Sequence, residues 1–164
     1  YDWSHEGDYL WGVLKEPSKT CGMTKYTGTE VKDEDGNPLG DGLVRLEPGN
    51  DPATKIWGPK WRTPTLDEIE ALFNSAIMKS SWDDQKKGFT FTSLKTGESI
   101  FLPAGGCCIS YSIQNKGEIG EYWASSVVET KPMYAHGFYF ESDDSGPFWG
   151  SRYMGRPVRA VMEE

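Results

Sequence analysis

The sequence is poor in the residues that most chemistry needs. It has two histidines, His5 and His136, and three cysteines in 164 residues. An odd cysteine count cannot be a complete disulfide framework. Cys107 and Cys108 are adjacent and Cys21 is remote; a bridge from Cys21 to either is open in a secreted chain, and buried thiols are the plainer reading. G-x-S-x-G, H-E-x-x-H, P-loop and C-x-x-C patterns are all missing. Basic charge is also short: 17 Lys and Arg face 25 Asp and Glu, a net charge of −8. Lys86-Lys87 is typical of the small basic features, so a nucleic-acid partner is not expected. No apolar run approaches the roughly eighteen residues that a membrane-spanning helix requires. No apolar leader precedes Tyr1, so either a signal peptide is gone or the chain is trimmed.

What is abundant is glycine (19), tryptophan (7) and tyrosine (8). Together with few long helical periods, this suggests a single loop-rich domain over 1–164, α+β in class and mostly β. Asp51-Pro52 starts a short helix over 51–57, with the aspartate as N-cap and proline in the first turn. Gly58-Pro59 stops it. Thr65 and Glu68 form a capping box for a second helix. Ile69, Leu72, Phe73, Ala76 and Ile77 then make one apolar stripe, which predicts helix over 65–79. Pro64 makes Lys60–Thr63 extended.

Strands are expected at Asp8–Val13, Leu43–Leu46, Gly88–Ser93 and Glu98–Leu102, the last two forming a hairpin around Gly97. Further strands are expected at Glu121–Ser126, Met133–Glu141 and Arg156–Met162. In Met133–Glu141, Tyr134, His136, Phe138 and Phe140 share one face. Residues 79–87 read as a polar link, 107–120 are ambiguous, and 142–152 read as a loop.

The candidate chemistry is thin. Asp33, Asp35, Asn37 and Asp41 surround Gly36, but a calcium loop of the EF-hand type wants its glycine at the sixth position and a glutamate at the twelfth. Here glycine stands fourth and Val44 twelfth, so an Asx-rich turn is expected and no metal or cofactor. A Cys107 or Cys108 dyad with His136 is conceivable, but His136 reads better as packed on a β face. Glu118, Glu121, Glu141, Asp143 and Asp144 could supply the two carboxylates of a glycosidase, although in so acidic a chain a solvated surface is the simpler reading. Aromatic residues in the 142–152 loop are the better lead. Flat rings among Gly, Ser and Asp suit stacking against a sugar or a protein partner; plugging a loop-rich core is the competing role.

Several segments, in order, resemble one family. Trp57-Gly58, Lys60-Trp61-Arg62, Pro64-Thr65, Glu68 and Leu72 match the W-G-x-K-W-R-x-P-T-x-x-E-x-x-x-L core of the Fibrobacter succinogenes major paralogous domain. Leu46-Glu47-Pro48 with Asp51 and Ala53 resembles its lead-in, and Ser99–Gly105 its hairpin return. Gly120–Ser126 resembles its G-x-Y-W-S-S-S, and Ser151–Val161 its closing S-R-x-x-G-x-x-V-R-P-V. The core is more distantly similar to formylglycine-generating (sulfatase-modifying) proteins.

Both resemblances imply a C-type-lectin-like fold: two helices packed on a small twisted antiparallel sheet with long loops. They imply a secreted or outer-membrane surface protein of a Gram-negative bacterium, such as a surface lipoprotein. The enzymatic relatives use cysteines in their C-terminal part, and none follows Cys108 here, so that activity does not carry over. The calcium-binding lectin pattern does not carry over either, because Glu47-Pro48-Gly49-Asn50 is interrupted and W-N-D is missing. A hypervariable ligand-binding protein of diversity-generating retroelements shares the fold and varies in its C-terminal loops, here about 139–153.

The resulting expectation is a non-catalytic recognition or adhesion module for a glycan or surface protein. It would act as a monomer or as part of a larger surface protein. Its site is placed on Trp123, Tyr139, Phe148, Trp149, Arg152 and Tyr153: the rings stack and Arg152 pairs with a carboxylate. A polysaccharide-acting hydrolase and a structural or assembly domain are the alternatives.

Overall fold

The computed structural model describes residues 25–27, 32, 34–37, 41–109 and 111–163. The expected strand at Asp8–Val13 and Cys21 lie outside them. The described chain is mostly antiparallel β with two short helices. Its elements are α1 (Pro52–Trp57), β1 (Trp61–Arg62), α2 (Leu66–Ala71), β2 (Met78–Asp83), β3 (Gly88–Ser93) and β4 (Ser99–Pro103). They continue with β5 (Cys107–Ile109), β6 (Ser112–Gln114), β7 (Gly120–Val128), β8 (Lys131–Phe140), β9 (Ser145–Ser151) and β10 (Val161–Met162). β2-β3-β4 and β7-β8-β9 form two three-stranded sheets; β1 pairs with β10 and β5 with β6.

Both helix starts follow local chemistry. The Asp51 carboxylate accepts from Ala53 N at 2.8 Å, then reaches across to Thr63 N (2.7 Å) and Thr63 Oγ1 (2.8 Å). One buried side chain therefore caps α1 and ties it to the residue after β1. Gly58 ends α1 at φ +96°, where its N–H reaches Thr54 O. The capping box of α2 is complete: Glu68 N donates to Thr65 Oγ1 and Thr65 N to Glu68 Oε2. Arg62 adds two bonds to the same carboxylate at 2.7 and 2.6 Å, and a third to Glu163 at 2.9 Å. The Arg62 guanidinium, with the bond from Thr65 N, holds Glu68 down at about 2.

α2 is much shorter than its apolar stripe. Leu72 N turns back to Ile69 and Glu70, and Asn74 then takes over. Its side chain accepts from Ala76 N, and its carbonyl accepts from Ile77 N and Met78 N. This asparagine-built turn ends the helical path, so Ala76 and Ile77 are exposed rather than packed. Residues 79–83 of the expected link belong instead to β2, paired residue for residue with β3. Trp82 lies opposite Phe89 with ring centroids 5.5 Å apart.

Phe73 joins the two sheets. Its ring is 4.8 Å from Phe91 in one and 4.4 Å from Phe138 in the other, with Phe89 and Phe140 close behind. Around it lie Leu102, Ala104 and Tyr122, all buried. Ile69 and Ala124 extend the core under α2.

The closing strand is also shorter than expected, since only Val161–Met162 pair. Residues before it line β7 instead: Trp123 N donates to Pro157 O, and Cys108 bridges Gly155. β7 is covered along the same flank by Val44, Leu46 and Pro64. β9 is the outer strand of the sheet at the other side.

Candidate functional site

Five of the six candidate residues lie on the β7-β8-β9 sheet or at its β9 end, and the sixth, Tyr153, follows Arg152 in the turn beyond. The expected loop 142–152 is mostly strand, because Ser145–Ser151 pair without interruption with Tyr134–Phe140. Gly146, Pro147 and Gly150 disguise it. Gly150 is needed for space: a Cβ there would stand 2.9 Å from Arg156 Nη1 and from the Phe148 ring.

Alternation separates the candidates onto two faces. Glu121, Trp123, Gly137, Tyr139 and Phe148 share the outer face; Tyr134, His136, Phe138 and Trp149 share the other. On the outer face Trp123 and Phe148 flank Gly137, their centroids 5.9 Å apart. A Cβ on Gly137 would come within 2.6 Å of Tyr122 O and 2.7 Å of the Phe148 ring. The Arg156 guanidinium covers both rings, 4.5 Å from Trp123 and 4.9 Å from Phe148.

Arg156 keeps only 5% of its side chain exposed and reaches Glu121 Oε1 at 3.3 Å. Its Nε and Nη1 have no hydrogen-bond partner. Cys107, a buried free thiol, is pushed up to about 11 by burial and by its hydrogen bond to Glu121. That is the reverse of an activated nucleophile. Trp123 and Phe148 thus sit beneath an ion pair and build the scaffold.

Tyr139 donates its hydroxyl to Asp144 Oδ2 at 2.7 Å, and this bond raises its pKa. It clasps the turn between β8 and β9. Arg152 Nη1 donates to Tyr26 O (3.0 Å) and Pro132 O (2.8 Å), and its Nη2 to Lys25 O (3.3 Å). This guanidinium stitches residues 25–27 to the start of β8.

Trp149 and Tyr153 remain turned to solvent, 51% and 58% exposed. Two residues not singled out by the sequence join Trp149. Tyr134 meets it edge-on with centroids 5.3 Å apart, and Lys131 holds its Nζ 4.1 Å over the ring. The alternation of β8 could have located Tyr134, whereas nothing local marks Lys131. A second exposed apolar group lies elsewhere. Ile56, Trp57 and Met162 are more than half exposed; Trp57 packs edge-on against Trp61, which pairs with Met162.

The Asx-rich segment gives no cation cage among the described residues. The Asp41 carboxylate accepts from Tyr26 N, Thr27 N, Thr27 Oγ1 and Leu43 N. Burial pushes Asp41 up, but these bonds outweigh it and its pKa is lowered. No group of three or more His, Cys, Asp or Glu side chains among the described residues could hold a metal ion.

No protein-family model, curated protein or solved structure matches this chain.

Proposed function

We propose that the protein is a non-catalytic recognition module whose contact surface is the outward end of β8 and β9, centred on Trp149 and Tyr153. The observation that carries this reading is the half-exposed Trp149 on the outermost strand, on the open end of the sheet face whose Phe138 is buried in the core. A half-exposed indole that carries a lysine ammonium over its ring and packs against a tyrosine presents apolar area and a displaceable cation together, which suits a sugar ring or a protein side chain. Trp123, Phe148 and Arg152 support this surface from behind, whereas Tyr139 clasps the turn between β8 and β9.

The carboxylates with a resolved shift, Asp41, Glu68 and Asp83, are all lowered by partners that build the scaffold. None of the three is held protonated for acid catalysis, as a glycosidase acid must be. The scaffold, in this reading, is C-type-lectin-like and related to the Fibrobacter succinogenes major paralogous domain. It is carried at the surface of a Gram-negative bacterium. The ordered motif set and the two-helix, antiparallel β architecture support that assignment.

The test is an array of glycans and surface proteins probed with the wild type and with Trp149→Ala/Tyr153→Ala. A ligand bound by the wild type and lost by the double variant is expected. Undiminished binding by a folded double variant removes the site. The exposed Ile56, Trp57 and Met162 favour a second reading, an assembly domain docking through that face. Solution mass measurement of the wild type and of Trp57→Ser separates the two, because only assembly predicts a concentration-dependent oligomer that the variant loses.

A further inference from the structure

We infer that the Trp149 surface is selective for an acidic saccharide, a pyranose ring bearing a carboxylate, with Lys131 as its specificity-determining residue. This rests on the recognition reading above and gives its ligand a charge. Lys131 Nζ stands 4.1 Å over the exposed Trp149 ring, and Tyr134 packs against it in a T-shaped contact. Among the described residues no carboxylate pairs with Lys131. Its ammonium rests on the ring face through an exposed cation–π contact, which a ligand carboxylate can replace.

A sugar that takes the ammonium's place on the indole moves Lys131 to the sugar's rim, beside a ring substituent. A hydroxyl there makes an ordinary hydrogen bond, whereas a carboxylate makes a charge-assisted one, about twice as strong. Three of the described acids lie away from Lys131. Glu141, Asp143 and Asp144 cluster at the turn joining β8 to β9, and Lys131 begins β8 at its far end. The bulge between Lys131 and Ala135 shortens the path, so about six steps of extended strand, roughly 20 Å, separate them, about two Debye lengths at physiological salt. Glu129, two residues before Lys131, is the near acid in sequence. A single ammonium beside a flat ring matches a ligand ring with a single carboxylate better than it matches an acidic protein surface, whose many charges would meet a chain of net charge −8.

The experiment titrates 15N-labelled protein with trisaccharides of glucuronate, galacturonate and mannuronate and with their neutral counterparts, following the Trp149 indole N–H. At least one uronate is expected to shift that signal with an affinity roughly tenfold above its neutral counterpart. Lys131→Met should remove the difference and Lys131→Arg should retain it. Equal binding of neutral and acidic forms, lost in Trp149→Ala, overturns the charge preference and leaves the recognition surface standing. No response to any of the six also overturns the preference, while the array remains the judge of recognition. Binding that survives Trp149→Ala removes both.

Discussion

Single side chains in this molecule divide between those that hold the sheet and those that it displays. Arg156 is the clearest of the first kind. It is almost fully buried, stacked on two rings and matched to one carboxylate oxygen. Removing Glu121 leaves that cation buried without its counter-charge. Glu121→Ala is therefore expected to cost about 3 kcal/mol in urea-unfolding free energy. The double variant Glu121→Gln/Arg156→Met should recover most of the loss, since it also removes two donors that have no partner.

Glu68 sets a pH dependence. Its pKa falls from 4.5 to about 2 on folding, so its contribution is complete above pH 4.5 and is lost as the pH falls toward 2. Because the pair is partly exposed, the contribution is no more than about 1 kcal/mol. Glu68→Gln should be the less stable protein at pH 7, and the gap should close on acidification, read from denaturation midpoints at pH 7, 4 and 3.

Elements reveal where sequence reasoning holds and where it gives way. Local signals were legible because their chemistry is local: the Asp51 and Thr65 caps, the Gly58 stop and the hairpin through Gly97 all stand as expected. Thr65→Ala should accordingly cost about 1 kcal/mol. The apolar stripe misled beyond Phe73, because Asn74 offers the backbone a turn that competes with helix, and Ile77 O then bonds to Leu94 N from the neighbouring hairpin. β2 and β9 were missed for a related reason. Lys79-Ser80-Ser81 and Gly146-Pro147 look like loop, and only the pairing partners make them strand.

Of the six candidate residues, Trp149 and Tyr153 are displayed to solvent, whereas Arg152 and the outer-face rings serve neighbours whose positions no local pattern announces. Gly137 shows the same dependence. Its Cβ space belongs to Phe148 and to the β7 backbone, so Gly137→Ala should destabilise the protein by about 2 kcal/mol. It should also change the near-ultraviolet circular dichroism of Trp123.

At the scale of the whole molecule, Phe73 couples the two three-stranded sheets, and among several exposed apolar groups two carry the competing readings. One comprises Ile56, Trp57 and Met162; the other, Trp149 and Tyr153. In the proposed reading, recognition falls to the second, while the Trp61 pairing beside the first closes the scaffold. The most direct test is a hydrogen-exchange footprint of the protein bound to an array-selected ligand. Slowed exchange over 131–136 and 145–153, with 54–62 and 161–163 unchanged, is the result predicted. Protection confined to 54–62 and 161–163 would contradict the account and place recognition on the opposite group.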